Sequence, residues 1–130
     1  MPGFDALVAA ARQARRHAQA GYSGFAVGAA LLSADGVIHT GVNIESATYG
    51  LTMCAERVVL FTALTAGAGP FRALAVVADT AAPTPPCGAC RQLLWEYCGD
   101  VPIVLANLAT ITGEVRLAQL LPMPFDRRLL

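Results

Sequence analysis

The order of apolar segments in this chain predicts a three-layer α/β domain built on a mixed sheet. Three observations carry that prediction. The run "ALAVVAD" is almost continuously apolar, as expected of a strand covered on both faces. Segments of helical length and periodicity flank it, "CAERVVLFTALTA" before and "GACRQLLWEYC" after. Upstream, two strand-like segments are joined by the tight-turn tripeptide "ADG".

The chain opens with Phe4, Leu7, Val8, Ala11 and Ala14 at helical spacing, with Asp5 in the first turn. "FAVGAALLS" then reads as a buried strand and "VIHTGVNI" as its hairpin partner. The helix that starts at Cys54 is stopped by "GAGP". The helix that follows Cys87 closes at Gly99, a residue type suited to a helix C-terminus. "VPIVLA" reads as another short strand, and "VRLAQLLP" as a last short helix before Pro122. No repeat, linker or low-complexity segment interrupts this series, so residues 1–130 are expected to form a single domain.

Composition narrows the function classes. The chain is 55% hydrophobic, yet its apolar runs are broken by Gly, Pro, Asp or Arg. They stop well short of the about 18–20 residues that a membrane span requires. Apolar surface buried between subunits is the expected reason for the excess. Near the N-terminus the charges follow the apolar residues, the reverse of a secretory signal, so a cytoplasmic location is expected. Formal net charge is zero and all nine basic residues are arginine. Only Arg12, Arg15 and Arg16 cluster, which reads as a solvated helix face; a nucleic-acid polymer requires a broader basic footprint. Neither a polymer nor a membrane is therefore expected as a partner. His17 and His39 join no motif and are assigned to the surface.

The four cysteines carry the chemistry. A C-x-x-C such as Cys87–Cys90 suits a redox pair, half of a structural zinc site, or part of a catalytic metal site. Without a secretory signal the thiols should stay reduced, which favours metal binding. Cys87 and Cys90 sit where a loop enters one helix, and Cys54 sits where another begins. Helix N-termini carry partial positive charge and free N–H groups that favour thiolate over thiol. Cys98 lies eight residues beyond Cys90, roughly 12 Å along the same helix at 1.5 Å per residue. It cannot share a metal with Cys90 and reads as a small buried hydrophobe. Three thiolates without a fourth protein ligand describe an open zinc site, the catalytic kind. Glu56, two residues beyond Cys54, is then placed to move protons to and from a bound water.

"CAER", followed 33 residues after Cys54 by "PCGACRQ", resembles the zinc-dependent cytidine deaminases of the short-chain type. "YSGFAVGAALL" resembles that family's first strand, "GVNIESATYG" its nucleoside-binding stretch and "LLPMPF" its C-terminal segment. The resemblance covers nearly the whole chain. It implies a cytidine-deaminase-like three-layer α/β/α fold with a mixed, mostly five-stranded sheet.

It further implies hydrolysis of free cytidine and 2′-deoxycytidine to the uridines and ammonia, a step of pyrimidine salvage. A zinc-bound hydroxide would attack, and Glu56 would shuttle the protons. Cys54, Cys87 and Cys90 would bind one Zn²⁺ per subunit. Asn43 and Glu45 would hold the ribose, with Tyr49 ending that segment. Phe25 would pack against the nucleoside, and the Ala55 backbone would face the pyrimidine carbonyl. Phe125 would reach a neighbouring subunit's site in a homotetramer. Arg57 and Arg91 each directly follow a site residue, where they are placed to donate to the sulfurs and offset their charge.

The sequence departs from the family's frequent residues at Ala26, Val42 and Ser46, none of them a ligand or proton carrier. Read on their own, Asn43 and Glu45 stand two apart in an extended stretch and so face one way. That face offers an amide and a carboxylate to sugar hydroxyls. Two rivals remain at this point. One is a deaminase of another aminopyrimidine nucleoside, against which Glu45 argues. The other is a thiol–disulfide protein or closed zinc module, which would need neither Cys54 nor Glu56, or would need a fourth ligand.

Overall fold

The computed structural model describes residues 4–130. Its centre is the apolar run identified above, strand β3 (Phe71–Ala78). On one side β3 pairs antiparallel with β1 (Val27–Ser33), which pairs antiparallel with β2 (Ile38–Val42). On the other it pairs in parallel with β4 (Pro102–Ala106), and β4 pairs antiparallel with β5 (Ile111–Arg116). The sheet is therefore mixed and five-stranded, in the order β2-β1-β3-β4-β5.

Alternation along β3 explains why it reads as continuously apolar. Ala73, Ala75 and Val77 pack with Leu7, Val8 and Ala11 of helix α1 (Asp5–Arg15) on one face. Leu74, Val76 and Ala78 belong to the opposite cluster. That cluster includes Val59, Leu60 and Ala63 of α2 (Ala55–Thr65), and Cys90 and Leu94 of α3 (Gly88–Cys98). One helix layer, the sheet and a two-helix layer make the expected α/β/α sandwich.

Two glycines set the spacing of those layers. A Cβ on Gly28 would lie 2.1 Å from the Ala11 carbonyl oxygen, and one on Gly41 would lie 2.5 Å from the Val59 nitrogen. Gly28 thus lets α1 approach β1, and Gly41 lets α2 approach β2.

Three expectations need correction. Residues 111–116 form strand β5, so the last helix is only the single turn α4 (Leu117–Leu120), and Val115 and Arg116 belong to the strand. Arg12 and Arg15 are not freely solvated; they donate to the carbonyls of Asn107 and Ala26. His39 is partly buried on β2, and its Nε2 is shielded without a hydrogen-bond partner. Among the described residues, no helix is long and apolar enough to cross a membrane.

Candidate active site

Two helix starts converge beside the sheet. Cys54 caps α2 and Cys87 caps α3, both in extended backbone conformation with ψ of 151° and 169°. Between β2 and α2, Ile44 and Met53 form an antiparallel bridge, exchanging two backbone hydrogen bonds of 2.9 Å. This bridge returns the chain to the end of β2, so Asn43 and Glu45 line the same cleft as Met53 and Cys54.

The Cys54 sulfur lies 3.7 Å from that of Cys87, which lies 3.4 Å from that of Cys90 in the first turn of α3. All three sulfurs fall within 4.8 Å of one another, and among the described residues no other His, Cys, Asp or Glu joins them. A hydrogen bond from Cys90 holds the Cys54 thiol down to about 5, with smaller help from Arg57 and Cys87 against the opposing effect of burial. Cys90 is pushed up by that same hydrogen bond and by burial.

Arg57 also approaches the Cys54 sulfur, with Nη2 3.7 Å away. A tight cluster of soft donors beside a cation fits Zn²⁺ as three corners of a tetrahedron, with the fourth left open. Cys98 lies at the far end of α3 against the core, its thiol pushed up to about 12 by burial.

Glu56, in the first turn of α2, is buried with 5% exposure. Burial above all, reinforced by the neighbouring Cys54 charge, pushes its carboxyl up to about 7; its own backbone N–H and Arg57 act the other way. A carboxyl balanced near neutrality can take up and release protons in turn. Glu56 and the sulfurs of Cys54 and Cys87 line a cavity of about 250 Å³, together with Phe25, Asn43, Glu45 and Ala55.

The polar end of this cavity is densely hydrogen-bonded. Asn43 Oδ1 accepts from the Val27 N–H at 2.9 Å, and its Nδ2 donates to the Phe25 carbonyl at 2.7 Å. Glu45 Oε1 accepts from the backbone N–H groups of Tyr22 and Ser23, each at 3.0 Å, and Oε2 accepts from the Ser23 hydroxyl. Those bonds, the Ser23 hydroxyl first, hold the Glu45 carboxyl below its usual value. Glu45 is half-buried in the isolated chain.

Other candidates stand further off. Tyr49, 78% exposed, lines an adjoining cavity of about 430 Å³ with Tyr22 and Ser23. That cavity shares Glu45 and Thr52 with the first. Phe125 is exposed and does not line its own chain's cysteine-bearing cavity; its carbonyl accepts from Gln92. Arg91 was expected to donate to the sulfurs. Instead its Nε donates to the Pro86 carbonyl at 2.7 Å and its Nη1 to the Leu120 carbonyl at 2.9 Å. The planar fork of the guanidinium spans two carbonyls more readily than it folds back to a sulfur.

Sequence reasoning missed Ser23. The tetrapeptide "YSGF" carried a signal: a serine two residues before an aromatic, with glycine between, suits a turn in which the hydroxyl accepts from the second following N–H. The Phe25 N–H indeed donates to Ser23 Oγ at 3.0 Å, across Gly24 at φ +74°.

Residues 4–106 match the model of the cytidine and deoxycytidylate deaminase zinc-binding region. The chain is 48% identical over 124 residues to the cytidine deaminase of Sporosarcina psychrophila, covering 95% of this chain and 91% of that one. It is 51% identical over 120 residues to the cytidine deaminase of Halalkalibacterium halodurans, covering 92% and 91% of the two chains. The crystal structure of cytidine deaminase from Burkholderia pseudomallei superposes with a TM-score of 0.88 at 47% identity, over 92% of this chain and 97% of that one.

Proposed function

This chain belongs to the cytidine and deoxycytidylate deaminase zinc-binding family, a family of zinc-dependent hydrolases, and from that membership we propose that it deaminates free cytidine and 2′-deoxycytidine. The observation that carries the reading is a buried carboxyl, Glu56, in one cavity with Cys54 and Cys87 of the thiol cluster and with the amide–carboxylate pair Asn43 and Glu45. Cys54, Cys87 and Cys90 would hold one zinc ion per chain. Once bound, that ion supplies a Lewis acid that makes water nucleophilic near neutral pH.

Glu56 does the proton work. It takes a proton from the attacking water and passes it to N3 of the pyrimidine, then takes the proton of the hydroxyl added at C4 and delivers it to the departing 4-amino group. Water adds at C4, the C4–N bond breaks, and ammonia and a uridine leave. One carboxyl serves as base and then acid because its burial keeps both protonation states within reach at pH 7.

Hydrogen-bond capacity supports activity on both nucleosides. A carboxylate has about four acceptor sites, and three of those on Glu45 are filled by the 22–23 backbone and Ser23. Asn43 retains one free N–H. One acceptor beside one donor grips a single hydroxyl, so the second ribose hydroxyl is not required. Phe25 and the Ala55 backbone flank the base in this reading.

A role in pyrimidine salvage follows from free nucleosides as substrates. A homotetramer, in which Phe125 reaches a neighbour's cavity, agrees with the exposure of Tyr49, Leu51 and Phe125 at 78%, 68% and 59%. The test is cytidine turnover, followed by absorbance loss and ammonia release, combined with a metal determination. A pure, zinc-loaded protein with no turnover of either nucleoside would overturn the proposal.

A further inference from the structure

Phe25 is held at both polar ends of its backbone by the residues that read the sugar. Its carbonyl accepts from Asn43 Nδ2 at 2.7 Å, a direct link. Its N–H donates to Ser23 Oγ at 3.0 Å, and that same hydroxyl donates to Glu45 Oε2. The Ser23 and Tyr22 amides close the second link by donating to Glu45 Oε1. Glu45 is anchored in turn, its N–H donating to the Gln19 carbonyl at 2.9 Å. Ser23 lines only the adjoining cavity, so it stands outside the cavity that holds Glu56 and the sulfurs.

We propose that Ser23 is a positioning residue, a relay that ties the sugar-reading carboxylate of Glu45 to the aromatic face of Phe25. The inference rests on the deaminase reading and adds to it a coupling between two subsites. Phe25 is 44% exposed and lies at the edge of a turn, with little packing of its own to fix it. Without Ser23 Oγ, the Phe25 N–H loses its acceptor and Glu45 Oε2 loses a donor. A hydroxyl bound by Glu45 then no longer braces the ring above the base. Preorganisation of this kind lowers the ordering cost of binding, so its loss falls on KM more than on kcat.

The probes are 2′-deoxycytidine and 2′,3′-dideoxycytidine, which differ by the one hydroxyl the pair can grip. Steady-state kinetics of the zinc-loaded protein should show Ser23→Ala raising KM for 2′-deoxycytidine about threefold to tenfold, with kcat within about twofold. The preference for 2′-deoxycytidine over the dideoxy compound should shrink by a similar factor. Ser23→Thr keeps the hydroxyl and should restore both values; it also serves as the test if the alanine chain does not fold. A merely structural role would slow both nucleosides equally. An unchanged preference in Ser23→Ala, or an altered one in Ser23→Thr, overturns the relay. Absence of turnover in the unaltered, zinc-loaded chain overturns the deaminase reading, and the relay with it.

Discussion

The Arg57 guanidinium places one nitrogen, Nη2, 3.7 Å from the Cys54 sulfur and 3.5 Å from the Thr52 carbonyl oxygen. Arg57 thereby fastens the start of α2 to the segment before it while its charge faces the thiol cluster. Three thiolates on a divalent ion leave a net charge of −1, which makes a bound water less acidic than neutral ligands would. A cation against one sulfur offsets part of that effect. Arg57→Ala should lower zinc retention against a chelator and activity, each by about 10–100-fold. Unchanged values for both would remove this role.

The same cluster separates the four cysteines. Cys87→Ser should lose zinc and activity together. Cys98→Ser should keep one zinc per chain, because Cys98 packs against the core at the opposite end of α3. Its cost should appear in stability, through a hydroxyl placed in an apolar site. Zinc loss from Cys98→Ser equal to that from Cys87→Ser would show the ligand assignment to be wrong.

Glu56→Gln keeps the shape of the buried side chain and removes its titration. Zinc content and fold should survive, while kcat falls by at least about 10²–10⁴, the range for one general acid–base group. The larger end is expected, since in the proposed mechanism Glu56 serves more than one proton transfer. Near-normal turnover in a zinc-replete variant would sink the assignment.

Arg91 joins the α3 start to the C-terminal segment by donating to the carbonyls of Pro86 and Leu120. Gln92 and Trp95 extend that attachment, donating to the Phe125 carbonyl and the Asp126 carboxylate. Arg91→Ala should lower stability by about 1.5–3 kcal/mol, the scale for hydrogen bonds from a charged donor. A urea titration reads this as a lower midpoint. Arg91→Lys should recover only part, because an ammonium cannot span both carbonyls in the same planar geometry. A full recovery would argue for charge alone.

The sandwich and the Cys87–Cys90 half of the metal cluster were legible because both follow from short-range pattern; Cys54, 33 residues before Cys87, was joined to them by its place at a second helix start and by the family resemblance. Cys87 and Cys90 stand three apart at a helix start, and "ALAVVA" is apolar on both faces because both are covered. Strand β5 was not legible. It lies at the sheet edge with Ile111, Glu114 and Arg116 exposed and Gly113 in its middle, so neither a clean alternation nor a buried run marks it. The target of Arg91 depends on how Leu120 folds back across α3, a long-range event that residue spacing does not encode. Ser23 was within reach, since its turn is local; its link to Glu45 is not.

The charge around the proposed sugar end bears on the form of the substrate. Glu45 keeps its negative charge, held below the ordinary carboxyl value by Ser23 and the Tyr22 amide. Neither the cysteine-bearing cavity nor the adjoining one is lined by a cationic side chain among the described residues, and the chain has no lysine at all. A 5′-phosphate would therefore meet a like charge with no lining cation to offset it. The partial solvent exposure of Glu45 moderates that repulsion without cancelling it. Cytidine 5′-monophosphate should show a kcat/KM at least about tenfold below that of cytidine, a gap that added salt narrows. Glu45→Gln should weaken cytidine use by about tenfold, since a neutral amide is a poorer acceptor for the hydroxyl. The same substitution should reduce the penalty on the monophosphate, because the repelling charge is gone. If the monophosphate matches cytidine in the unaltered chain, or its penalty is untouched by Glu45→Gln, this carboxylate does not select for the free nucleoside.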